Sequence, residues 1–286
     1  EILCDFNNYI CLCCGRSIGK CLSEDSKVLN TNTGEYLSVS EWYKKQESLS
    51  IATLKDNFDQ GIGSPIITDN GIKPCLQIES RKGFKTKVTF EHPFMTQRGW
   101  VQAKDLTAKD FIAIPRSLSY FGNKEHFTDN EIKILAHFIA EGTRDTCSIT
   151  TAEPEVVKDL SDYAGEIGYR LYNYEIQYFI SGTVRKKNKF KKFLESLENI
   201  DQCYSYEKFV PKKIFELSRE KIALFLNRLF GDDGWAYLNS DSYEIGYCST
   251  SEQLARDIKH LLLRFGIISS LSFSKNKFKG SLRCQS

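Results

Sequence analysis

Two segments of this chain follow one plan, and a chain that writes a plan twice must fold so as to satisfy it twice. TDNEIKILAHFIAEG (128–142) opens with Thr128 and Glu131 at capping-box spacing and sets Ile132, Leu135, Ala136 and Ile139 along one helical face. It ends in Glu141 and a glycine. SREKIALFLNRLFGDDG (218–234) does the same with Ile222, Phe225, Leu226 and Leu229, and ends in Asp233 and a glycine. The two acids lie ninety-two residues apart. After the first helix comes SITTAEPEVVKDLSDYAGEIGYRL and after the second YCSTSEQLARDIKHLLLRFGIISSL, each a short strand, a polar turn, a helix and a glycine. Glu153 and Gly168 match Glu252 and Gly266 with a one-residue offset. Two α/β halves related by pseudo-twofold symmetry are the economical account.

Upstream of Pro115 the texture is different. VLNTNTGEYLSV, just after Ser26, puts Gly34 in a turn between β-prone flanks and predicts a hairpin. Ahead of it the apolar run YICLCC leads into GRSIGK, which resembles the strand-to-loop entry of a P-loop ATPase. By that resemblance Gly15, Gly19 and Lys20 would bind nucleotide, backbone N–H groups cradling phosphates and Lys20 reaching the terminal ones. The next residue should be Ser or Thr to hold magnesium; it is Cys21, and Cys14 stands at the usual first-glycine position. Such departures are similar to the variant loops of large viral terminase ATPases, the first choice of host, with a helicase or another P-loop protein behind it. No helix follows to carry the loop, so either GRSIGK is fortuitous or a module is inserted at Cys21.

The insertion reading makes a demand that the residues meet. CLSEDSKVL, from Cys21, resembles the start of an intein, a segment that excises itself and joins its flanks. A Thr-x-x-His element should follow, and GFKTKVTFEHPFMTQRGWVQAKDLTAKDFIAIP (83–115) supplies Thr89 and His92, with Trp100, Asp105 and Asp110 in a tail similar to the family's. The chemistry needs those residue types. Only a thiol or hydroxyl at position 21 can take the acyl group of Lys20, the scissile-bond partner, from nitrogen to sulfur. His92 would protonate the departing amide nitrogen, and Thr89 with nearby backbone N–H groups would polarise the carbonyl. Splicing needs Cys, Ser or Thr just after the excised segment and a P-loop needs Ser or Thr after its lysine, so one residue can serve both.

The paired helices, in turn, resemble the signature helices of LAGLIDADG (DOD-type) homing endonucleases, the type commonly inserted in inteins. That resemblance implies helices packed at the domain centre, Ala136, Ala140 and Gly231 allowing close approach, and sheets forming a saddle on duplex DNA. It makes Glu141 and Asp233 the catalytic acids. An acid at a helix C-terminus faces the negative end of the macrodipole, and two such acids together call for a cation; Mg2+ is the expected cofactor and both acids its ligands. Basic stretches offer phosphate contacts: VRKKNKFKKF (184–193), with Arg185, Lys186, Lys187 and Lys189, and SKNKFKGSLR (274–283), with Lys275, Lys277 and Lys279.

The fold class expected is therefore multidomain. A P-loop-like host segment covers 1–20, a mostly-β Hint-type splicing fold 21–118, and an α/β LAGLIDADG endonuclease with two αββα-like halves 119–286. The expected partner is double-stranded DNA, a long asymmetric target in the uninterrupted host gene, bound by a monomer. A net charge of +2 leaves DNA affinity to local patches. No run is apolar enough for a membrane span and no signal peptide is evident, which points to a soluble cytoplasmic protein, compatible with a phage genome. Ten cysteines without paired CxxC spacing speak against a zinc cage. The four histidines are His92, His126, His137 and His260, so the terminal His-Asn of an intein is missing. The chain reads as a fragment whose C-terminal intein and host remainder lie elsewhere. Two other readings stay open: a degenerate insertion that binds DNA or does nothing, and a fragment of the host ATPase itself, for which a Walker B strand is wanting after Cys21.

Overall fold

The computed structural model describes residues 4–13, 20–55, 59–144, 146–182, 188–239, 242–278 and 281–285. It divides into two compact units, Glu1–Gly122 with Leu262–Leu271, and Asn123–Leu261 with Ser272–Ser286.

The first unit is mainly β. Strands β1 (Cys4–Cys13), β2 (Lys20–Ser23), β3 (Lys27–Leu29) and β4 (Tyr36–Ser38) lead to helix α1 (Val39–Lys45). β5 (Ile51–Leu54), β6 (Gln60–Gly63), β7 (Ile66–Glu79), β8 (Lys85–Thr89), β9 (Pro93–Thr96) and β10 (Gly99–Gln102) follow. β1, β2, β8 and β7 close into a barrel, while β3–β4, β5–β6 and β9–β10 pair separately. The hairpin read around Gly34 is β3–β4, with Val28 opposite Leu37. Gly34 takes φ 78°, a left-handed conformation that a side chain would oppose. Two apolar clusters hold the unit: Val39, Trp42 and Leu49 in one, and Leu76, Val88 and Ala103 in the other, with Leu22 packed against both. β1 and β2 pair antiparallel with Leu12 opposite Lys20, and residues 14–19 between them lie outside the described residues.

The second unit is built on α2 (Asp129–Glu141), β11 (Ile149–Thr150), α3 (Pro154–Glu166), β12 (Arg170–Tyr174), β13 (Gln177–Ser181), α4 (Lys189–Glu195) and α5 (Lys212–Phe215). It continues through α6 (Arg219–Asp233), β14 (Gly234–Asn239), β15 (Ser242–Tyr247), α7 (Glu252–Arg264), β16 (Ser274–Phe278) and β17 (Ser281–Gln285). α2 starts at the capping box read from sequence, with Glu131 N–H donating to Thr128 Oγ1 and Thr128 N–H to Glu131 Oε2. α2 and α6 pack against one another. Ile132, Leu135, Ala136 and Ile139 on one, and Ile222, Phe225, Leu226 and Leu229 on the other, are buried. Leu135→Ala should cost about 2–5 kcal/mol by leaving a cavity at this contact, seen as a lower urea midpoint.

Two expectations are corrected here. Gly231 does not permit close approach: it is exposed, with open space where a side chain would begin. Gly142 and Gly234 are required for a different reason: as the C-caps of α2 and α6, a Cβ on either would meet a carbonyl oxygen of its own helix, Phe138 at 2.2 Å and Phe230 at 2.3 Å. The halves are also less alike than αββα. After α6 a full hairpin, β14–β15, precedes α7, but after α2 there is only the two-residue β11, which joins β13 and β12 in one sheet. In place of a full hairpin Gly142 makes a single antiparallel bridge to Ile149, a one-pair counterpart of β14–β15. The later match holds: Gly168 and Gly266 end α3 and α7 with φ 72° and 79°. Among the described residues no helix is long and apolar enough to cross a membrane.

Candidate functional site

In the first unit, Cys21 lies buried on β2 between two neighbours, β1 and β8. Leu22 pairs with Val88, so Cys21 and Thr89 are the next positions along the two antiparallel strands. Thr89 in turn pairs with Cys75 on β7, and all three residues are buried. The spacing of Thr89 and His92 is that of a turn: His92 N–H donates to Thr89 O at 3.1 Å as the chain leaves β8. Half-buried, His92 packs its ring on Phe94 at 5.1 Å between centroids. Its carbonyl accepts from Ala103 N–H at 2.8 Å.

Beyond this turn Asp110 organises the tail. It accepts from Arg98 Nε and Nη2 at 2.7 and 2.8 Å and from Thr107 N–H at 2.8 Å. The Arg98 guanidinium, then the Thr107 amide, hold its carboxyl well below the usual range. Trp100 pairs with Met95 on β9 and is exposed, and Asp105 ends a short 3₁₀ turn. One residue here went unread in the sequence: Asn70 Nδ2 donates to Cys21 Sγ at 3.4 Å. It sits beside Asp69 and Gly71, where β7 turns, and no local pattern ties position 70 to position 21.

In the second unit, Glu141 and Asp233 are the last residues of α2 and α6. Partial burial raises the pKa of Glu141, and the neighbouring Asp233 and Asp232 carboxylates add to the shift, although its side chain keeps an exposed edge. Burial likewise raises Asp233, with Asp232 adding and a hydrogen bond opposing. That bond comes from Tyr247 Oη, 3.3 Å from Asp233 Oδ2. Two carboxylates whose charge is disfavoured where they stand, Glu141 in part by Asp233, offer oxygen ligands only and fit a hard divalent cation. Among the described residues no group of three or more His, Cys, Asp and Glu gathers as for a metal ion.

Lys208 completes this end of α2. It is buried, and its Nζ donates to Phe138 O at 3.0 Å and Gly142 O at 3.5 Å, 4.1 Å from the Phe138 ring centre. It thus sets a cation on the helix end where Glu141 sits. Burial lowers its pKa from 10.5 to about 8. Since the folded value lies below the unfolded one, the burden of a buried charge is full below about pH 8 and lifts as pH rises from there towards 10.5. A Tm series across that window should rise by the equivalent of about 3 kcal/mol in the parent. The rise should flatten in Lys208→Met. A lone lysine amid polar residues gave no signal in sequence; only burial marks it.

The basic residues fare unevenly. Gly15, Gly19, Arg185, Lys186, Lys187 and Lys279 lie outside the described residues, as do the side chains of Lys20, Lys275 and Lys277. Lys189 begins α4 and is exposed, its Nζ donating to Ile167 O at 2.7 Å and lying 5.5 Å from the Tyr169 ring centre.

Residues 220–283, from the first turn of α6 into β17, match the model of the LAGLIDADG-like domain. Over its greater part the chain is similar to curated proteins. It is 31% identical over 281 residues to the replicative DNA helicase DnaB of Nostoc sp., covering 91% of this chain and 31% of that protein. To the replicative DNA helicase DnaB of Synechocystis sp. it is 29% identical, covering 91% and 32%. To protein RecA of Mycobacterium bovis it is 24% identical, covering 88% and 33%. The chain spans about a third of the length of these relatives. The second helix-and-hairpin half is thus the part of the chain similar to a LAGLIDADG-like domain.

Proposed function

We propose that the chain is an intein carrying a LAGLIDADG homing endonuclease, inserted in a P-loop ATPase. The observation that carries the nuclease reading is the LAGLIDADG-like match over α6 and its hairpin, joined to an α2 that packs on α6 and ends in a second acid whose charge Asp233 disfavours. Glu141 and Asp233 would hold Mg2+, which when bound supplies charge stabilisation for phosphodiester hydrolysis. The chain's own residues prepare that site. Tyr247 orients Asp233, Lys208 offsets the dipole at the end of α2, and the glycines after each acid let the backbone turn away at once. Exposed Trp235, Tyr237 and Tyr243 on β14–β15, with the basic stretches, would meet duplex DNA.

For splicing, the support is the proximity of Cys21 and Thr89 on paired strands, with His92 one turn on. Cys21 would attack the Lys20 carbonyl, the C–N bond would break as the C–S bond forms, and the proton shed by the thiol would be balanced by the one His92 delivers to the freed amine. The relatives favour a host of the DnaB or RecA kind over a terminase, because this chain aligns along nine-tenths of its length with proteins so named. Purified full chain with Mg2+ and linear DNA spanning the uninterrupted host gene should yield one double-strand cut. Intact DNA at every Mg2+ concentration would reject the nuclease reading.

A further inference from the structure

Of the two acids that end α6, only one stands free to meet Glu141. Asp232 lies with its side chain 3% exposed, and its Oδ2 is 2.8 Å from His137 Nδ1. His137, fully enclosed on α2, also faces Asp159 of α3, Nε2 to Oδ2 at 3.3 Å. Asp159 is held from two more sides, by Arg228 Nε at 2.6 Å and Lys133 Nζ at 3.0 Å. Burial opposes its charge, but the hydrogen bonds from Arg228, Lys133 and His137 prevail and hold its carboxyl below the usual range. His137 is therefore anchored at its far edge by a fixed anion and grips Asp232 with its near edge.

The consequence is geometric. Adjacent residues of a helix point about 100° apart, so α6 cannot present Asp232 and Asp233 in the same direction. Asp233 is tied to Tyr247 of β15, Asp232 to His137 of α2. A histidine buried at a helix contact has no need of an acid on the opposing helix for packing alone; here it has one on each side. Loss of the imidazole would leave Asp232 a buried carboxylate without a donor, close to Glu141 and Asp233, where a divalent cation would be its best remaining partner.

We propose that His137 is a positioning residue that selects Asp233 as the cation ligand of the second copy by holding Asp232 out of the site. The proposal rests on the endonuclease reading above. Its test uses the full chain and Mn2+ alone, with free Mn2+ followed by electron paramagnetic resonance, without DNA or cleavage. Glu141→Gln and Asp233→Asn should each weaken Mn2+ binding about tenfold or more, the loss of one of two charged ligands. Asp232→Asn should leave it within about twofold. His137→Phe, which keeps the volume, should tighten binding by about fivefold as Asp232 turns in, and Asp232→Asn added to it should return the affinity to that of the parent. A purely structural histidine would give the opposite sign, since disorder weakens a site.

If Asp232→Asn weakens Mn2+ as much as Asp233→Asn, or if folded His137→Phe binds no more tightly than the parent, the proposal is overturned. Should His137→Phe fail to fold, the comparison of Asp232→Asn with Asp233→Asn decides alone. If the parent binds Mn2+ no better than Glu141→Gln or Asp233→Asn does, the two-acid reading itself falls, a different result from any that removes only the role of His137.

Discussion

Asp233→Asn and Glu141→Gln should each lower DNA cleavage by about 10³-fold or more, several kcal/mol of charge stabilisation, and at the same time make the metal-free protein more stable. The second effect follows from the first. Burial and neighbouring carboxylates raise both pKa values, so the folded state takes up these protons more readily than the unfolded chain. A carboxyl of that kind burdens the fold fully above its folded pKa, and the burden lifts as pH falls through that value towards the unfolded one. At neutral pH both acids are therefore costly, and an amide at either position relieves the cost. Solvent at the edge of the site screens the repulsion, so a gain of about 0.5 kcal/mol is expected. A Tm higher by one or two degrees is the readout, about what that energy gives a domain of this size. Asn at 233 can still accept from Tyr247, which keeps the helix end in place. Variants that lost stability together with cleavage would mean that the acids are structural.

Cys21→Ala should abolish thiol-induced scission at the Lys20–Cys21 bond. Full chain treated with dithiothreitol should release the segment 1–20, read by mass spectrometry, because a thioester at Cys21 is open to an external thiol and an amide is not. His92→Ala should slow release by about 10²–10⁴-fold, the usual worth of a placed proton donor. Asn70→Ala should slow it only about fivefold, since it removes one hydrogen bond to sulfur, worth roughly 1 kcal/mol. Scission that persists in Cys21→Ala at the parental rate would sink the acyl-shift reading. The tail that follows the His92 turn has its own dependence on acid. Asp110 is held below its usual pKa by Arg98, so its support is present above the unfolded value and goes as pH falls towards the folded one. Release should decline below about pH 4 for that reason, before the barrel itself opens.

The parts legible in sequence were those whose physics is local. A capping box, an apolar stripe and a terminal glycine each act within one or two turns, so α2 and α6 could be read to their ends. Gly34 and the left-handed Gly168 and Gly266 announced their turns in the same way. The misreadings come from elsewhere. Gly231 has the right composition for a close contact but lies on the outer side of α6. His137 was counted only as one of four histidines, because its role depends on Asp159 and Asp232, twenty-two and ninety-five positions away.

By itself the sequence determined the repeated helix plan, the acid at each helix end, the thiol at position 21 and the Thr-x-x-His turn, since periodicity, capping and turn geometry are properties of neighbouring residues. Tertiary structure alone decided the rest: that Cys21 runs beside Thr89, that Lys208 is enclosed against the end of α2, and that Asp232 is taken by His137 while Asp233 is not. Those outcomes depend on which strands pair and which helix faces meet. Burial and charge there come from residues distant in the chain, and no local pattern encodes them.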